Sequence, residues 1–153
     1  MEKLKIGDQA PAFSLLDQSE NTVSLSDFKG KKVLIYFYPK ADTPGCTKQA
    51  CSLRDASSEL IDKSIVTLGI SPDMPAKQKK FADKYKLDFP LLCDTDNTVA
   101  KQYSAWGEKS MYGKTYEGII RSSFLIDEDG RIVQASYKVK PLDTLPKALK
   151  AIS

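Results

Sequence analysis

The sequence predicts an α/β fold: a central mixed β-sheet, helices on both of its faces, and a β-hairpin near the N-terminus. Three observations carry this. Residues 32–38 and 64–70 are continuous β-branched, aliphatic and aromatic runs, the pattern of strands buried on both faces in parallel sheets. Each run precedes a segment whose apolar residues recur at helical spacing. The last third holds a hairpin signal, Asp127-Glu128-Asp129-Gly130, and an amphipathic C-terminal helix. With 153 residues, 41% hydrophobic, and no repeat, linker or low-complexity stretch, one domain over 1–153 with a real core is expected.

Taken in order, residues 1–11 are polar and read as an extended arm. Residues 12–16 and 22–25 flank the polar turn Asp17 to Asn21 and read as a hairpin. Asparagine tolerates the left-handed backbone, which suits Asn21 to that turn. Ser26-Asp27-Phe28 before Lys29-Gly30 reads as a short helical turn. Pro39 ends the first buried run. In the next helix Cys46, Ala50, Leu53, Ser57 and Leu60 share one face, directed at the core. Residues 75–85 read as a helix and 89–93 as a short strand. Residues 94–103 contain a helix capped near Asp94 or Thr95. Residues 106–117, rich in Gly and Tyr, read as a loop. Residues 118–126 read as one strand, and 131–135 as its hairpin partner. Leu142, Leu145, Leu149 and Ile152 mark the last helix.

Composition excludes several chemistries. There is no histidine, which removes Cys-His hydrolases, Ser-His-Asp triads and His-containing zinc sites. Cysteines at 46, 51 and 93 lack zinc-finger spacing, so no metal site is expected. Phosphate-binding glycine loops are absent, and no cofactor is expected. The +3 net charge is scattered among acids, which argues against nucleic-acid binding. No apolar run reaches the roughly 18 residues of a membrane span. The opening MEKLKIGDQA lacks a hydrophobic signal core, so a cytoplasmic location is expected, and three cysteines there point to thiol chemistry or burial.

The chemistry concentrates where the first buried strand meets its helix, YFYPKADTPGCTKQACSLRD from Tyr36 to Asp55. Thr43-Pro44 reads as a helix start, with Thr as N-cap and Pro at the first helical position. Cys46 then falls about one turn in, facing free backbone N–H groups and the positive end of the helix dipole. That setting favours a thiolate.

These residues resemble a known family. Pro39-x3-Thr43-x2-Cys46 is similar to the active-site motif of peroxiredoxins, the thiol peroxidases. GDQAPAF, DTPGCTKQACSLRD and WGEKSMYGKTYEGIIRSSFLID resemble the bacterioferritin-comigratory-protein (Q-type) branch over nearly the whole chain. The resemblance implies a thioredoxin-like fold and reduction of hydrogen peroxide and organic hydroperoxides. It implies Cys46 as the peroxidatic cysteine, Arg121 as the active-site arginine, and Pro39 and Thr43 as the rest of the pocket. It implies Cys51 as the resolving cysteine, an intramolecular disulfide, and thioredoxin or a glutaredoxin-like dithiol as reductant. A monomer is the expected state.

Each residue also has a plainer reading. Cys46 could be a buried inert thiol. Arg121 could be a surface ion-pair partner, although its neighbours Ile119, Ile120, Phe124 and Leu125 are apolar. Thr43 could serve only as a cap. Cys51 lies five residues after Cys46 and points about 140° away on the same helix; it could lack a redox role. Cys93, in FPLLC, reads as a small buried hydrophobe. Trp106 and Tyr112 could wall a substrate pocket or simply pack. Two other functions compete with a peroxidase: a thioredoxin-type disulfide reductase, against which the C-x4-C spacing argues, and a redox sensor using Cys46 as a switch.

Overall fold

The computed structural model describes residues 3–152. The run beginning at Lys32 forms strand β3 (Lys32–Phe37) at the heart of the sheet, because its side chains alternate between two cores. Val33, Ile35 and Phe37 enter one core; Leu34, Tyr36 and Tyr38 enter the other. This is why the run is continuous rather than alternating.

Before β3 come β1 (Ser14–Leu16) and β2 (Thr22–Ser24), the expected hairpin, and a 3-10 turn at Leu25–Phe28. After it follow α1 (Pro44–Asp55), α2 (Ser57–Asp62), β4 (Ile65–Ser71), α3 (Pro75–Tyr85), β5 (Leu91–Cys93) and α4 (Thr98–Gln102). The chain continues through β6 (Trp106–Met111), β7 (Lys114–Ile119), β8 (Ser122–Ile126), β9 (Ile132–Ser136), a 3-10 turn at Pro141–Asp143, and α5 (Thr144–Ala151). Seven strands form one mixed sheet in the order β2-β1-β5-β4-β3-β8-β9. Strands β3, β4 and β5 are parallel; the others pair antiparallel. Side chains of α1, α2, α3 and α5 pack on one face, and those of α4 with the N-terminal arm on the other.

Several expectations are corrected. Residues 106–117 are not a loop: β6 and β7 form a separate two-stranded hairpin with six cross-strand pairs. Its two-residue turn, Tyr112-Gly113, has both residues at positive φ, 53° and 78°, as a type I′ turn requires. The strands are mostly exposed and lack the hydrophobic alternation that would have marked them. The strand expected over 118–126 is broken at Ile120-Arg121, where the chain leaves the small hairpin for the main sheet. The helix after Cys46 is interrupted at Ala56. In the first hairpin the left-handed residue is Glu20, not Asn21. Helix α4 starts later than expected, with Asn97 at its N-cap position. Asp94 still caps it from a distance, its carboxylate accepting from the Val99 and Ala100 N–H groups at 3.1 and 2.8 Å.

Candidate active site

Helix α1 starts as the local sequence demands, with Thr43 at the N-cap position and Pro44 first in the helix. Cys46 is therefore third and 1% exposed. The hydroxyl of Thr43 does not cap the helix: it donates to the Lys40 carbonyl at 2.8 Å and ties the preceding loop to itself. Pro39 stands half-buried at the start of that loop.

The loop between β3 and α1 is anchored to the neighbouring strand. The Asp73 carboxylate accepts from the Ala41 N–H and from the Ser71 hydroxyl, both at 2.7 Å. Buried Gln78 accepts from the Tyr38 hydroxyl at 2.6 Å and donates to the Ser71 hydroxyl and the Leu92 carbonyl. Asp42, at φ 61°, accepts from Lys84 and the Tyr85 hydroxyl, which hold its carboxyl below the usual range. Burial raises the phenol of Tyr38, and that of Tyr36 stacked against it at 5.4 Å.

Arg121 reaches Cys46 from the break between β7 and β8. Its Nη2 lies 3.4 Å from the Cys46 sulfur, and its Nη1 donates to the Gln49 side-chain oxygen at 2.6 Å. Gln49, one turn after Cys46 and fully buried, donates in turn to the Thr144 hydroxyl at 2.8 Å. The guanidinium is thus locked between sulfur and amide, and through Gln49 to the start of α5. Gly45 makes room for it: a Cβ there would lie 3.1 Å from Arg121 Nη2 and 3.5 Å from Pro141. Lys109, half-buried on β6, is a second cation near the sulfur. Burial, then the charge of Arg121, hold its ammonium below the usual lysine range, while Cys46 acts the other way.

The structure therefore brings Cys46 and Arg121 into contact, with Thr43 and Pro39 in the loop leading to the thiol. Cys51 lies half-buried further along α1, and all three cysteines are free thiols. Cys93 is remote, its sulfur 4.0 Å from the Asp17 carbonyl oxygen, and burial pushes its thiol up to about 11. Trp106 packs against the core under Lys101, whereas Tyr112 is 97% exposed at the hairpin tip and walls nothing. Sequence reasoning missed Gln49 and Thr144. A glutamine three residues after Cys46, on the flank of a buried helix face, was the available signal for the first. Among the described residues no cluster of His, Cys, Asp or Glu could hold a metal, and no helix is long and apolar enough to cross a membrane.

A thiol at a helix start, joined to a guanidinium from the break just before β8 on a sheet of this topology, defines the class of thiol-dependent oxidoreductases built on the thioredoxin-like fold. Comparison with known proteins narrows the class. The sequence matches the AhpC/TSA family over residues 6–135. A bcp peroxiredoxin of Haemophilus influenzae is 59% identical over 94% of this chain and 92% of its own. A cysteine mutant of PrxQ from Xylella fastidiosa superposes with a TM-score of 0.90 at 30% identity, covering 99% of both chains. The bacterioferritin comigratory protein of Xanthomonas campestris, whose structures are described as bearing on alkyl peroxide reduction, gives a TM-score of 0.84 at 34% identity over 92% of this chain and 91% of its own. The chain belongs to the AhpC/TSA family and is a thiol-dependent peroxidase, a peroxiredoxin of the Bcp or Q type. Enzymes of this kind reduce peroxides at the expense of a dithiol reductant.

Proposed function

We infer that Cys46 is the peroxidatic cysteine and that residues 1–153 act as one catalytic unit on hydrogen peroxide and organic hydroperoxides. The observation that carries this is the Arg121 guanidinium 3.4 Å from a thiol at the start of α1. The sulfur attacks the terminal peroxide oxygen, the O–O bond breaks, and the alkoxide leaves with a proton as alcohol. Cys46 becomes a sulfenic acid. Arg121 and the free N–H groups at the helix start supply positive charge fixed in advance, so little reorganisation accompanies the charge shift from sulfur to the leaving oxygen. Thr43 positions the loop that brings substrate to the thiol, and Pro39 keeps water from it.

Cys51 then attacks the sulfenic sulfur, releasing water and forming a Cys46–Cys51 disulfide. Thioredoxin or a similar dithiol reduces this bond, with the protein acting as a monomer. The cycle needs a continuous supply of reduced dithiol, which a reducing compartment such as the cytoplasm provides. The likeness to a protein described in terms of alkyl peroxide reduction supports organic hydroperoxides among the substrates.

The test is consumption of NADPH through thioredoxin reductase and thioredoxin with hydrogen peroxide or an alkyl hydroperoxide. Cys46→Ser, folded by circular dichroism, is expected to give no turnover. Substantial turnover by that variant would place the reacting thiol elsewhere.

A further inference from the structure

We propose that the cavity walled by Arg121, the residue in contact with the Cys46 thiol, is a subsite for the carboxylate of a small anionic hydroperoxide, with Lys109 and Lys138 as its specificity-determining residues. This rests on the peroxidase reading above. The cavity has a volume of about 480 Å³ and is lined by Glu108, Lys109, Ser110, Ile120, Arg121, Lys138 and Val139. Arg121 links it to the chemistry, since the same guanidinium lies on the Cys46 sulfur.

Two of the five N–H donors of Arg121 are engaged, one terminal nitrogen on sulfur and the other on Gln49. The remaining positive charge comes from Lys109 and Lys138, neither of which makes an ion pair among the described residues. The stem of Lys109 lies over Gly118, where an added Cβ would sit 3.4 Å from its Cδ. Its ammonium is thereby held half-buried near Arg121 rather than in open solvent. Lys138 adopts a left-handed backbone, φ 54°, a conformation uncommon outside glycine, and the next residue is pinned by Val139 N–H donating to the Arg121 carbonyl at 2.9 Å. Glu108 is the one carboxylate in the lining. It pairs across the hairpin with Glu117, and strand alternation puts its side chain on the face opposite to Lys109.

Three cations and a single carboxylate thus line this space, which leaves it with a net positive charge. The charge of Arg121 works against the charged form of Lys109, and an anion in the cavity would relieve that repulsion. Ile120 and Val139 offer apolar surface for the carbon frame of such a ligand. The volume falls in the range of small-molecule pockets. The carboxylate takes no part in the redox step; it orients the peroxide and raises its local concentration at the sulfur.

The test compares tert-butyl hydroperoxide with its analogue in which one methyl group carries a carboxylate. Oxidation of Cys46 is followed by stopped-flow fluorescence, and the ratio of the two second-order rate constants is read. At low salt the carboxylated probe is expected to react about tenfold faster, the order expected of one half-buried and one exposed cation. The ratio should fall toward one between about 20 mM and about 500 mM salt, as screening predicts. It should also fall toward one in Lys109→Gln/Lys138→Gln. A merely structural effect of these substitutions would change both rates alike and leave the ratio intact. A wild-type ratio at or below one overturns the proposal, as does a ratio preserved in the double variant. If the double variant instead alters only the KM for thioredoxin, the lysines serve the reductant and the proposal is also overturned. If neither probe oxidises Cys46, the peroxidase reading fails first.

Discussion

Cys46 and Cys51 cannot join on the helix that carries them. Residues five apart in an α-helix are separated by about 7.5 Å along the axis and about 8.6 Å between Cα atoms. A disulfide tolerates no more than about 7 Å. The proposed Cys46–Cys51 bond therefore requires oxidation to unwind the start of α1, roughly residues 44–52. The losses are specific: the Arg121–Gln49 and Gln49–Thr144 hydrogen bonds, the burial of Cys46 and Ala50, and several backbone bonds. The charge-assisted bond is worth about 1.5–3 kcal/mol and the neutral one about 1 kcal/mol. The buried methyl adds about 0.8 kcal/mol, while recovered backbone entropy offsets much of the helix hydrogen bonding. A net cost of about 3–5 kcal/mol corresponds to amide protection of about 10²–10⁴-fold over residues 46–52 in the reduced protein. Hydrogen exchange read by mass spectrometry checks this. After stoichiometric peroxide, with the Cys46–Cys51 bond verified in the same sample, protection over 46–52 should fall toward that of an unstructured chain. The first turn of α5 should lose part of its protection with Gln49, while Val33 to Phe37 stays protected. Unchanged exchange over 46–52 in a sample that carries the bond would refute the reasoning.

Three further outcomes are expected. Arg121→Lys keeps the charge but loses the planar fork that contacts sulfur and Gln49 together, so Cys46 oxidation should slow by about 10–100-fold; a stopped-flow rate within twofold of wild type would remove Arg121 from the mechanism. Gln49→Leu leaves Arg121 Nη1 and the Thr144 hydroxyl without their partner, and should cost about 2–4 kcal/mol by denaturant midpoint as well as slowing peroxide reduction; a stable variant with full activity would show that Arg121 needs no such support. Cys93, its thiol raised from 9.0 to about 11, keeps its proton in the folded state where the unfolded chain releases it. Stability should therefore fall as pH rises through that window, with the raised phenols of Tyr36, Tyr38 and Tyr103 acting in the same direction. Cys93→Ala should flatten the slope of stability against pH and leave thioredoxin-linked turnover near wild type; loss of recycling in it would make Cys93 the resolving thiol.

The buried strands β3 and β4, the helix α3, the terminal hairpins and the helix start before Cys46 were all legible in the chain. Each rests on local signals: apolar runs, Pro and Gly punctuation, and one helical face. The hairpin of β6 and β7 was not, because both of its faces are largely exposed and no apolar period betrays it. Its one cue was Tyr112-Gly113, a two-residue turn without the usual Asn or Asp. The break at Ile120-Arg121 was hidden for the opposite reason, since apolar residues flank it closely on both sides, Ile119 and Ile120 before it and Phe124, Leu125 and Ile126 after.

The sequence by itself determined that Cys46 stands at the start of a helix, because Thr43 and Pro44 set that start through their own backbones. It also determined that histidine chemistry plays no part. Only the tertiary structure decided which groups meet the sulfur. Arg121, 75 positions away, arrives because β8 pairs antiparallel with β3, whose C-terminal end leads into α1. Gln49 holds that arginine because α5 folds back to present Thr144. A helix start is written in four or five adjacent residues. The partners of a thiol are set by strand pairing and the closing of long loops, which no local pattern encodes.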